Sequence, residues 1–129
     1  MVLTEEIIAV ILFGAIGSLS RFLLSRFINE VLPKNFPWGI LVVNISGCFI
    51  IGFLAAFLVG RYELNAFWRA GIFIGFLGGY TTFSSFSLDT ISLLQAQNYV
   101  AGITNIVASL LFSLLATAIG ILLGKAIVA

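Results

Sequence analysis

The sequence predicts an all-α integral membrane protein, a single domain over residues 1–129 with four transmembrane helices, the third of them broken. Three observations carry that expectation. Only 9% of the residues are charged and 61% are hydrophobic. Soluble domains carry about 25% charged residues, so this chain cannot clothe a water-facing surface. Four apolar stretches, at residues 5–28, 38–60, 67–94 and 99–128, each reach the roughly 20 residues that a helix needs to cross the hydrocarbon core. The third contains Gly78-Gly79 and then five hydroxyls between Thr81 and Ser87. Paired glycines weaken a helix, and a break is expected there.

The first stretch follows Met1–Glu6, which holds two acids and no Lys or Arg. A signal peptide needs a basic start, so a retained membrane helix is expected, with Ser18, Ser20 and Arg21 toward its end. The first connector holds Pro33 and Pro37, which stop helices, and Trp38 stands where an interfacial aromatic belongs. The second stretch carries Asn44 among apolar neighbours, together with Cys48, the lone cysteine. One cysteine and no histidine exclude an internal disulfide, a cysteine metal site and the usual zinc sites. Short connectors rich in Asn and Gln bracket the third stretch. In the fourth, Asn105, Ser109, Ser113 and Thr117 recur every four residues, along one helix face.

Polar groups in hydrocarbon are costly and mark a protein interior or a wet path. A single Ser or Thr is adequately explained by a bond to its own helix, but four on one stripe favour a pathway. Asn44 has two readings of equal weight, a pathway donor or glue between helices. No carboxylate lies in mid-span: Glu5, Glu6, Glu30 and Glu63 are at ends or in connectors, and Asp89 lies toward the end of the third stretch, within reach of an interface. Proton relays and acidic cation sites are therefore not expected. Neutral donors without acids suit an anion. Phe83 and Phe86, three apart, share a helix face and can offer positive ring edges to it. A break frees backbone carbonyls, tolerated in a membrane only inside protein or beside an ion or water. Two symmetry-related breaks would cage a small cation with carbonyls alone. Net charge is +1, which gives no sign of nucleic acid as a partner.

Orientation is normally read from Lys and Arg in short loops. Arg61, Arg69 and Lys125 fall on one side, and Arg21, Arg26 and Lys34 on the other. That balance fits either one orientation with a weak bias or insertion both ways, with opposite copies pairing. The GxxxG stretches at Gly71–Gly75 and Gly120–Gly124 permit close helix contact and lend weak support to a dimer.

Three motifs resemble the Fluc/CrcB family of fluoride channels over the whole chain. They are Gly14-Ala15-Ile16-Gly17-Ser18-Leu19-Ser20-Arg21, Val43-Asn44-Ile45-Ser46-Gly47, and the most specific, Gly75-Phe76-Leu77-Gly78-Gly79-Tyr80-Thr81-Thr82-Phe83-Ser84-Ser85-Phe86. The resemblance implies an antiparallel, dual-topology homodimer with two fluoride pores and a central sodium ion. It assigns Asn44, Thr82, Phe83, Ser84, Ser85, Phe86, Ser109 and Ser113 to the fluoride pore and Arg21 to a vestibule. Carbonyls of Gly78 and Thr81 would hold the sodium. Asn105 stands where some members have Tyr, and Ser85 where Thr is common.

The expected function is then passive fluoride export through the cytoplasmic membrane of a prokaryote, with no enzymatic step. A small four-helix drug exporter is the main alternative, but it needs a deep carboxylate to trade protons for a cation. A third possibility is a structural membrane subunit whose polar stripe serves only helix contacts.

Overall fold

The computed structural model describes residues 1–59 and 61–129. Helices α1 (Val2–Val31), α2 (Trp38–Val59) and α6 (Tyr99–Val128) are uninterrupted, and each is long and apolar enough to cross a membrane. The remaining apolar stretch is assembled from pieces. These are α3 (Ala66–Arg69), a π-helix π1 (Ala70–Phe76), α4 (Leu77–Tyr80) and α5 (Phe83–Gln95).

Local chemistry sets the boundaries. α1 outlasts its apolar stretch until Leu32 turns extended (φ −95°, ψ 159°), the conformation imposed on a residue before proline. Asn29 Oδ1 then accepts the backbone N–H of Gly39 at 2.8 Å, so the end of α1 caps the start of α2. Asn65 and Asn98 cap α3 and α6 in the same manner. Between α5 and α6 the chain turns through Gln97 at φ 59°, a left-handed non-glycine residue.

α1 packs against π1 and α4, α2 against α6, and α5 leans mainly on α6. The contacts rely on backbone proximity. A Cβ on Gly17 would collide with the Phe76 carbonyl, and one on Gly120 with the Phe49 carbonyl and the Phe53 nitrogen. Within lipid, where burying apolar groups gains little, such small-residue seams are how helices associate. They also correct one expectation. Gly71 and Gly75 face Phe13 of α1, while Gly120 and Gly124 face α2. Both GxxxG stretches are thus occupied inside the chain and say nothing about a second copy.

The buried core is correspondingly modest in side-chain volume, with Ala9, Val43, Ala70, Leu77 and Ala116 among its members. Large apolar side chains such as Ile11, Leu19, Ile119 and Leu122 point outward, as a lipid-facing surface requires.

The break falls just past the glycine pair. Gly78 and Gly79 remain helical, and Thr81 (ψ 154°) and Thr82 (φ −152°, ψ 118°) are the extended residues. Gly79 has a packing role instead, because a Cβ there would sit 2.8 Å from the Gly14 carbonyl oxygen.

Candidate functional site

Two extended residues in mid-membrane leave backbone groups that lipid cannot satisfy. Asn44 of α2 resolves this at Thr82. Its Nδ2 donates to the Thr82 carbonyl at 2.9 Å, and its Oδ1 accepts the Thr82 N–H at 2.8 Å. The side-chain amide thus stands in for a peptide unit of the interrupted ladder. The structure thus shows Asn44 tying α2 to the break, and its amide keeps a second hydrogen that neither bond uses.

That hydrogen belongs to a residue lining a cavity of about 270 Å³. Around it the fold gathers Asn44, Thr81, Thr82, Phe83, Phe86, Ser109 and Ser113, joined by Cys48, Leu110 and Leu114. The Phe83 and Phe86 rings are 5.2 Å apart between centroids and tilted by 51°. Phe86 is buried, whereas Phe83 is 74% exposed, so this wall of the cavity is open to whatever lies beside the chain.

Ser84 and Ser85 lie elsewhere. Thr82 Oγ1 caps α5 by accepting the Ser85 N–H at 3.2 Å, and the hydroxyls of Ser84 and Ser85 lie 3.1 and 3.2 Å from that same oxygen. These three form a hydroxyl cluster at the first turn of α5. Ser84 and Ser85 are not in the cavity wall of the single chain.

Along α6 the polar stripe divides. Ser109 and Ser113 face the cavity. Thr117 donates to the Ser113 carbonyl at 3.0 Å, so for it the helix-internal explanation suffices. Asn105 is only 2% exposed and lies outside the cavity. It donates to Thr90 Oγ1 at 2.9 Å. Sequence reasoning passed over Thr90, and the signal available was its place four residues after Phe86, one turn along the same face. It also passed over the pairing of Tyr80 and Ser46, whose hydroxyls are 2.8 Å apart and brace the end of α4 against α2.

Arg21 is half-buried, and its Nη1 donates to the Thr81 carbonyl at 3.3 Å. The positive guanidinium therefore rests against the break. The helical ladder is interrupted one turn earlier as well. Thr82, which would continue the ladder onto the Gly78 carbonyl, gives its N–H to Asn44 instead and frees that carbonyl. Neutral carbonyl oxygens are suitable ligands for an alkali cation. The Thr81 carbonyl is shared with Arg21, so a cation here would need further oxygens, including those of a second copy. Among the described residues no group of acids, histidines or cysteines could hold a transition metal.

A second, wider depression of about 760 Å³ opens at the connector between α1 and α2, bordered by Arg26, Glu30, Lys34 and Asp89. Arg26 and Glu30 pair there at 3.0 Å across one exposed turn.

The family profile described as "CrcB-like protein, Camphor Resistance (CrcB)" matches residues 8–121. Among curated relatives, the "Fluoride-specific ion channel FluC" of Rhizobium meliloti (strain 1021) is 44% identical over 115 residues, covering 89% of this chain and 92% of that one. The protein of the same name from Geobacter metallireducens is 40% identical over 119 residues, covering 92% and 96%. The one from Methylococcus capsulatus is 38% identical over 120 residues, covering 93% of this chain and 53% of the other, so the chain spans about half of that relative.

Proposed function

The chain belongs to the CrcB family, and from that premise we propose that it is a passive channel for fluoride, working as a homodimer of oppositely inserted copies. The observation that carries this reading is the splint at Asn44. It presents a spare amide hydrogen beside two phenylalanine rings and the α6 hydroxyls, in a cavity lined without any acid.

The chemistry follows from what fluoride loses on leaving water. A small anion holds its hydration tightly, so it enters a membrane only where fixed donors replace that shell. Asn44 supplies one N–H, Ser113 supplies a hydroxyl, Ser109 would supply another once its proton turns from Asn105 to the cavity, and ring edges of Phe83 and Phe86 add weaker positive potential. The break makes these donors rigid, because the Asn44 amide is held at both ends. Arg21 adds positive charge at the same level. Phe83, exposed on the single chain, would be enclosed by the partner copy, which completes the wall.

A sodium ion between the two breaks fits the neutral oxygens of Gly78 and Thr81, joined by the same atoms of the partner subunit. When bound it would supply positive charge that holds the two breaks together. In the cytoplasmic membrane of a prokaryote the channel would let out fluoride that entered as neutral HF and dissociated inside. The membrane potential and the fluoride gradient suffice to drive it.

Liposomes containing only this protein test the reading. Fluoride should leave down its gradient without any proton gradient, while chloride is retained. Fluoride efflux that needs a proton gradient, or chloride efflux at a matching rate, would overturn it.

A further inference from the structure

We propose that Asn105 is a positioning residue that holds the Ser109 hydroxyl turned away from the cavity, and that an anion arriving there must take the hydrogen from Asn105. The proposal rests on the channel reading above and assigns a task to a buried side chain which that reading leaves idle.

The direction of each hydrogen bond follows from one carbonyl. Thr90 Oγ1 lies 2.7 Å from the Phe86 carbonyl oxygen. A carbonyl only accepts, so the single hydroxyl proton of Thr90 is committed to it. Thr90 must then be the acceptor for Asn105 Nδ2, 2.9 Å away. This fixes the orientation of the Asn105 amide, with nitrogen toward Thr90 and oxygen toward Ser109. The Ser109 Oγ lies 3.4 Å from that amide oxygen, which again only accepts. The Ser109 proton therefore points at Asn105. What Ser109 offers the cavity it lines is a lone pair.

A lone pair repels an anion. For Ser109 to serve as a donor, its proton must swing to the cavity, and the Asn105 oxygen is left without a partner in a residue 2% exposed. An unsatisfied buried acceptor carries a free-energy penalty, and here that penalty offsets part of the gain from binding. The bond that must yield is the longest of the three, which keeps the exchange quick. A pore needs binding strong enough for entry and weak enough for exit. In this chain Asn105 makes the site shallow, and recaptures the hydroxyl when the anion leaves.

Replacing Asn105 by an apolar side chain of similar size removes the competing acceptor. The Thr90 proton keeps its place on the Phe86 carbonyl. In liposome flux measured over a range of fluoride concentrations, Asn105→Leu should lower the half-saturating concentration by roughly five-fold and lower the maximal rate with it. In a Ser109→Ala background the same substitution should shift neither, because the hydroxyl it releases is gone. General damage to helix packing would instead lower the rate in both backgrounds. If Asn105→Leu does not fold, the smaller Asn105→Ala carries the same expectation. A half-saturating concentration that stays or rises, or an equal shift in the Ser109→Ala background, overturns the assignment. A parent protein that moves no fluoride overturns the channel reading, and this proposal with it. Parent flux with unresponsive Asn105 variants overturns only the role of Asn105.

Discussion

The amide of Asn44 performs two tasks that one substitution can separate. Asn44→Asp keeps an oxygen for the Thr82 N–H but loses the donor to the Thr82 carbonyl. It also sets a negative charge in the proposed path. Fluoride flux should fall by at least tenfold near neutral pH. Stability should fall by about 1–3 kcal/mol, the usual consequence of stranding a buried acceptor. Both should recover as pH falls, because a protonated carboxyl again donates and accepts. Flux and thermal unfolding measured in parallel across pH check this, and flux independent of pH would mean that Asn44 only splints. Phe83→Ile separates the tasks from the other side. Phe83 is 74% exposed on the single chain, so its loss should leave the fold intact while flux drops sharply. Parent-rate flux from that variant would make Phe83 a packing residue.

At the scale of elements, seams of bare backbone decide what can change. Gly17→Ala would drive a methyl into the Phe76 carbonyl, and the resulting overpacking should destabilise the protein by about 1–3 kcal/mol. Gly78→Ala is the informative control, because the nearest atom, the Phe73 carbonyl oxygen, is 3.9 Å from the added carbon. In a lone chain it should be neutral or slightly stabilising, as alanine favours helix. A fall in thermal stability at Gly78 as large as at Gly17 would place a second copy against this face. These elements were only partly legible in the sequence. Length and apolar content located the three uninterrupted helices long enough to cross and the broken helical run between the second and third of them, since those quantities answer directly to membrane thickness. They could not place the interruption, because Gly78-Gly79 weakens a helix without ending it. What ends it at Thr81–Thr82 is Asn44, which lies 38 residues away. Thr90 stands one turn beyond Phe86 on the same face, but its bond to its own helix hid its role until the contact with Asn105 was seen.

For the whole molecule, Arg61, Arg69 and Lys125 stand against Arg26 and Lys34, with Arg21 drawn to the break, a difference too small to give much preference for either orientation. Tags at both termini, probed by protease from one side of the membrane, should show comparable protected and accessible fractions. Near-uniform protection would rule out pairing of opposite copies and leave the open side of the cavity facing lipid. The site itself was legible as a set of residue types, with Asn44, Phe83, Phe86, Ser109 and Ser113 drawn together around one space. Its wiring was not, because spacing along a helix does not say which way a hydroxyl turns. One consequence of the Asn44 splint would appear in isotope exchange. Irregular backbone ordinarily gives up its amide hydrogens to heavy water quickly, and a break in a helix would register as a gap in protection. At Thr82 the amide hydrogen is held by an oxygen from another helix, 2.8 Å from the nitrogen, so it should exchange as slowly as those in α5 and leave no gap at that residue. Substituting Asn44 with Ala should open one.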